Sequence, residues 1–168
     1  MTAGRIAVPA LLLTLALLVA GCGDSEAPLT SPLADAEQPG SDTVAVVTGV
    51  ETSGADGGYS FAVTVSSPDT GCEQYADWWE VVTAGGELLY RRVLLHSHAT
   101  EQPFTRSGGP VAIDAGDEVV IRAHMNTSGY GGTALRGSVA AGFEAYDPPP
   151  GFAAELASRD PLPEGCDF

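Results

Sequence analysis

The stretch Tyr59-Ser60-Phe61-Ala62-Val63-Thr64-Val65-Ser66 decides how the chain is read. Tyr59, Phe61, Val63 and Val65 fall on one face of an extended segment, and Ser60, Thr64 and Ser66 on the other. Successive side chains of a strand point to opposite sides, so this alternation marks a half-buried β-strand rather than a helix. Aromatic and β-branched residues favour the same state.

Working outward, the pattern recurs. Thr43 to Val50 reads as a strand before the turn Ser53–Gly58, and Pro68-Asp69-Thr70-Gly71 is a second turn. Ala76-Asp77-Trp78-Trp79-Glu80-Val81-Val82-Thr83 is aromatic and β-branched, Ala84-Gly85-Gly86 supplies a tight hairpin, and Glu87 to His96 returns. Phe104 to Ile113 reads as a short strand broken by Gly108-Gly109-Pro110. Glu118 to Asn126 turns Val119, Ile121, Ala123 and Met125 inward and Arg122, His124 and Asn126 outward. Ser128-Gly129-Tyr130-Gly131-Gly132 then connects to a last strand, Thr133 to Ala140. About seven short strands with Gly and Pro turns predict an all-β, antiparallel β-sandwich resembling immunoglobulin and fibronectin type III domains. One of Trp78 and Trp79 is expected to fill its core. A cupin-like β-barrel is the alternative.

Arg5 and the apolar run Ile6 to Ala20 read as a secretory signal, too short for a comfortable membrane span. Leu18-Val19-Ala20-Gly21-Cys22 resembles a bacterial lipobox, which implies cleavage before Cys22 and lipidation of that cysteine. The expected organisation is a signal peptide over 1–21, a lipidated Cys22 with a flexible acidic, Pro- and Ser-rich tether over 22–42, and one domain over 43–168 with a Pro-rich tail from about 143. Such a tether has a mean reach of about 25 Å. The address implied is the cell envelope, outside the cytoplasm, with the outer membrane favoured in a two-membrane organism because Gly23, not an aspartate, follows Cys22.

The formal net charge is −15, and all seven basic residues are arginine. A surface this acidic repels nucleic acid. With Cys22 committed to lipid, Cys72 and Cys166 remain as an even pair in an oxidising compartment, which predicts a disulfide.

Chemistry concentrates between Tyr90 and Gly109, YRRVLLHSHATEQPFTRSGG. If the strand runs that far, His96 and His98 share a face, and His124 from a neighbouring strand with Glu101 completes a set able to hold a divalent transition metal. His96-Ser97-His98, Glu101 and Gly108, followed by Gly116 and His124, resemble the metal motifs of cupins. That resemblance implies metal-dependent chemistry as the alternative function. A second reading makes Arg91, Glu101, Gln102 and Arg106 a structural polar network. A third puts Arg92, His96, His98, Arg122 and His124 on one outward face with Tyr130 beside it, a positive patch for an anionic small molecule, a glycan or an envelope protein. Ser97 lacks the glycine-flanked turn of a nucleophile elbow, and no P-loop or dinucleotide fingerprint occurs. The leading expectation is a non-enzymatic, lipid-anchored binding or structural module with no catalytic residue and no cofactor.

Overall fold

The computed structural model describes residues 42–167. The expected signal peptide, Cys22 and the tether up to residue 41 lie outside the described residues. In chain order the strands are β1 (Val46–Ala55), β2 (Gly58–Ser66), β3 (Ala76–Thr83), β4 (Leu88–Val93), β5 (Phe104–Val111), β6 (Val119–Met125), β7 (Ala134–Ser138) and β8 (Gly142–Tyr146). A 3-10 helix follows over Ala154–Ser158. They form a three-stranded sheet, β1-β2-β5, and a five-stranded sheet, β4-β3-β6-β7-β8, antiparallel throughout. Each sheet keeps two edges, so the fold is an all-β sandwich and not the closed barrel of the cupin-like alternative.

The alternation that marks β2 works as expected: Phe61, Val63 and Val65 are fully buried. They meet Trp79 and Val81 of β3 and Ile121, Ala123 and Met125 of β6 in one core between the sheets. Trp79 is therefore the core tryptophan, whereas Trp78, one residue out of phase, lies on the outer side of the five-stranded sheet. Gly108 on β5 passes so close to this core that a Cβ there would sit 2.7 Å from the Tyr90 ring and 3.0 Å from Trp79. A side chain at 108 would push the two sheets apart.

Several boundaries differ from the sequence reading. β1 continues to Ala55, through the turn expected at Ser53–Gly58, because the hairpin tightens onto Asp56 and Gly57. β4 ends at Val93, where Leu94 N–H donates to the carbonyl of Asp77 and the chain leaves the sheet before His96. β5 is continuous across Gly108-Gly109-Pro110, with a register shift opposite Tyr59–Phe61. The tail expected to be irregular from 143 opens with β8, which pairs along all of β7.

Antiparallel succession brings the start of β1 and the β2–β3, β4–β5 and β6–β7 connections to one end of the sandwich. From β8 the remaining chain folds over the outer face of the five-stranded sheet as a strap. Leu156 of the 3-10 helix enters a second, smaller core with Val82, Val120 and Ala134. The strap returns to the loop end, where Cys166 is disulfide-bonded to Cys72 of the β2–β3 connection and Asp167 N–H donates to Leu95 O. Both faces of β3 and β6 are thereby buried, although an antiparallel sheet is often open on one side.

The disulfide closes a loop with a sequence separation of 94. Cys166→Ser is expected to lower the unfolding free energy by about 2–5 kcal/mol, read as a reduced urea midpoint under non-reducing conditions. Under dithiothreitol the wild-type midpoint should fall to that of the variant.

Candidate functional site

Three neighbouring strands place one charge each in a single row across the sheet. Glu80 on β3 is the Cα partner of Arg91 on β4 and of Arg122 on β6. Side chains directly opposite in an antiparallel pair start about 5 Å apart, so a central carboxylate reaches both guanidinium groups. Glu80 Oε2 accepts from Arg91 Nε at 2.8 Å and Nη2 at 2.6 Å, and Oε1 accepts from Arg122 Nε at 2.8 Å. Arg122 Nη2 also lies 2.7 Å from Oε1. Glu80 has no exposed surface, and Arg91 and Arg122 retain 5% and 3% of theirs.

The strap supplies the other partners, all of them main-chain carbonyls. Arg91 Nη1 donates to Arg159 O at 2.5 Å and Pro161 O at 3.1 Å, and its Nη2 to Leu156 O at 2.7 Å. Arg122 Nη1 donates to Phe152 O at 2.6 Å and Nη2 to Ala153 O at 2.9 Å. Around the row lies an aromatic frame. The Arg91 guanidinium sits 4.3 Å from the Trp78 ring centre and that of Arg122 3.6 Å from Tyr130. His124 stacks on Trp78 at 3.7 Å and shares a 2.7 Å hydrogen bond with Asp77 through Nδ1. Burial, reinforced by Glu80, pushes the Tyr130 hydroxyl up to about 12, so it remains protonated while accepting from Arg91 Nη2.

Beside this row a cleft of about 730 Å³ opens between the β6–β7 loop and the strap. Its walls include Val44, Arg122, Tyr130, Asp147, Pro149 and Phe152. The loop is fixed by close packing: a Cβ on Gly132 would fall 1.9 Å from the carbonyl oxygen of Ala45, so only glycine fits. Thr133 donates to Asp147 Oδ1 at 2.9 Å, joining the start of β7 to the residue after β8. The size and largely apolar walls suit a small ligand or a short peptide.

The residues singled out from sequence are divided among three places. Arg122, His124 and Tyr130 come together here, but under the strap rather than on an open face. Arg92 is exposed and pairs in register with Trp79, one position out of phase with Glu80 and Arg91. His96 and His98 lie in the β4–β5 connection with ring centres 4.7 Å apart. The single outward patch of Arg92, His96, His98, Arg122 and His124 therefore does not form, because β4 ends too early and the tail covers β6. His124 is engaged with Asp77, Trp78 and Tyr130, away from Glu101, which pairs with Arg106 at 2.7 Å. Among the described residues no three His, Cys, Asp or Glu side chains gather as a metal site requires. Gln102 accepts from Ser67 N–H and donates to Ser67 Oγ and His98 O, whereas Arg91 stands apart, on Glu80. Glu80 and Asp147 escaped the sequence reading. Glu80 did carry a signal, a carboxylate set between Trp79 and Val81 in the middle of β3.

His98 is the other buried polar group of note. Its ring stacks on Phe104 at 3.8 Å, and neither ring nitrogen has a hydrogen-bond partner among the described residues. Asp69 Oδ2 accepts from the His98 backbone N–H at 2.8 Å and lies 4.0 Å from Nδ1. Burial, with Arg106 and His96 adding to it, holds the imidazole below its ordinary value, while Asp69 and Glu101 pull weakly the other way.

No protein-family model matches the chain, and no solved structure does. A protein of Halomicrobium mukohataei named "Putative lipoprotein" is 48% identical over 75 residues, 45% of this chain and 37% of the relative. The chain thus matches well under half of that relative's length.

Glu80→Gln is expected to cost about 3–5 kcal/mol of stability, since it leaves two buried guanidinium groups without their shared counter-charge. Urea unfolding followed by tryptophan fluorescence checks this. His98 gives a pH effect of defined sign. Below its ordinary value of 6.5 the unfolded chain takes up a proton that the folded ring resists, so stability falls as pH drops from there. In His98→Phe, which keeps the aromatic stack, the loss of Tm between about pH 7 and pH 5 is expected to shrink relative to wild type.

Proposed function

We propose that the protein is a lipid-anchored module of the cell envelope that binds a ligand or partner in the cleft between the β6–β7 loop and the C-terminal strap, without catalysing a reaction. The cleft is the observation that carries the binding reading. It has the volume of a ligand site, a framework braced by Gly132 and the Thr133–Asp147 bond, and a partly exposed aromatic wall in Tyr130. The charged groups nearest to it favour binding over chemistry. Glu80, Arg91 and most of Arg122 are engaged in ion pairs and carbonyl contacts that hold the strap, which makes them architectural.

Two features support the anchor. Leu18-Val19-Ala20-Gly21-Cys22 resembles a lipobox, and the relative's name points the same way. No helix among the described residues is long and apolar enough to cross a membrane. Val44, just before β1, forms part of the cleft wall. The strand order supports an immunoglobulin-like reading. With β1, β2 and β5 as strands A, B and E, and β3, β6 and β7 as C, F and G, β4 takes the place that C′ occupies beside C. β8 then extends the sheet beyond G. In that assignment the cleft adjoins the F–G connection, which serves as a recognition loop in variable domains.

Cys22→Ser is expected to move the protein from the membrane fraction of expressing cells to the soluble or secreted fraction, and to abolish incorporation of radiolabelled palmitate. An unchanged distribution with no lipid label in the wild type would overturn the anchor.

A further inference from the structure

We infer that the cleft takes a short peptide segment carrying a basic side chain, with a peptide carbonyl accepting from Arg122 and the basic group set against Asp147. This rests on the cleft being the binding site.

The two arginines beneath the strap differ in one respect. A guanidinium has five N–H donors. Arg91 makes six donor contacts, to Glu80, Tyr130 and three strap carbonyls, and is saturated. Arg122 donates once each from Nε, Nη1 and Nη2, with Nη2 also against Glu80. At least one Nη1 hydrogen is left without an acceptor among the described residues. Only Arg122 of the pair lines the cleft. A donor this deeply buried calls for an acceptor.

The strap indicates the type of acceptor. Each hydrogen bond it accepts from the two arginines goes to a peptide carbonyl: Phe152, Ala153, Leu156, Arg159 and Pro161. Leu156 anchors it in an apolar hole, with Phe152 and Ala153 packed alongside. The sheet face thus already binds a peptide by main-chain carbonyls and a few apolar side chains, and Arg122, which lines the cleft, would carry the same mode into it. Next to it, Tyr130, Phe152 and Pro149 offer surfaces for an apolar residue.

Charge settles the sign of the ligand. The chain carries −15 overall, and Asp147 is an exposed carboxylate on the cleft wall. Asp147 Oδ1 accepts from Thr133, and Oδ2 has no partner among the described residues. An acidic ligand meets repulsion from both the global field and Asp147, which a basic one turns into attraction.

The test uses the full-length protein in neutral detergent and three fluorescein-labelled hexapeptides of alternating Pro and Leu that differ only in two positions, both Arg, both Gln or both Glu. Fluorescence anisotropy should rank them Arg over Gln over Glu, with about tenfold or more between the extremes at low ionic strength and a smaller gap at about 0.5 M salt. Asp147→Asn keeps the acceptor for Thr133 and should bring the Arg peptide close to the Gln peptide. Ala157→Trp, at an exposed strap position facing the cleft, should weaken all three peptides together. A neutral aromatic dye, displaced by Ala157→Trp, reports on the cleft independently. If the dye responds to Ala157→Trp but the Glu peptide binds as well as the Arg peptide, or none binds up to about 1 mM, the ligand class is overturned and the cleft stands. If neither dye nor peptide responds to Ala157→Trp, the cleft reading falls as well.

Discussion

The carboxylate of Glu80, held between Arg91 and Arg122, is the interaction on which the outer half of the molecule depends. A charge in the middle of a central strand is strongly unfavourable once covered, and a single arginine would leave it half satisfied. Two arginines over-compensate it, and the surplus N–H donors must then find acceptors that carry no full charge. The strap provides them with five carbonyls. The sheet's ion row and the tail's main chain therefore complete each other, and neither would be stable buried alone. Arginine rather than lysine is required at positions 91 and 122, because only a planar fork of donors can face a carboxylate on one edge and peptide carbonyls on the others.

That reciprocity explains why the fold was more legible than the site. The inner face follows from local pattern: Tyr59, Phe61, Val63 and Val65 alternate, as do Val119, Ile121, Ala123 and Met125, and both rows enter the core. The outer face of β6 carries Arg122 and His124, which the same alternation assigns to solvent. They are covered by a segment some thirty residues later whose prolines and glycine give no period at all. The covering contact uses carbonyl oxygens, which every residue has, so no side-chain pattern in Phe152–Pro161 announces it. In the sequence only Cys166, expected to pair with Cys72, tied the tail to the domain.

The histidines show a related limit. His96 and His98 would share a face if β4 continued, and their spacing alone invites a metal. The strand stops because the β2–β3 connection reaches over it: Asp69 captures the backbone N–H of both Ala76 and His98 and the hydroxyl of Ser67. One buried aspartate thereby draws two loops together and turns His98 onto Phe104. Nothing near Asp69 in the sequence distinguishes it from an ordinary turn residue, since its two main-chain partners are seven and 29 positions away.

The same economy of acceptors bears on what the protein recognises. A strap bound through main-chain carbonyls places few demands on its own side chains, so its sequence between Leu156 and Cys166 is free to vary without disturbing the ion row. Residues lining the cleft are under a different constraint. Gly132 is pressed against Ala45, Tyr130 is fixed between Arg122 and His124, and Asp147 is tied to Thr133. Each of these contacts joins the β6–β7 loop to the strap, the sheet or the first strand, so the loop cannot move without disturbing the row that Glu80 holds. A recognition loop built this way is preorganised. Its affinity then comes from shape and charge already in place rather than from ordering on contact, which limits the entropy lost when a partner binds.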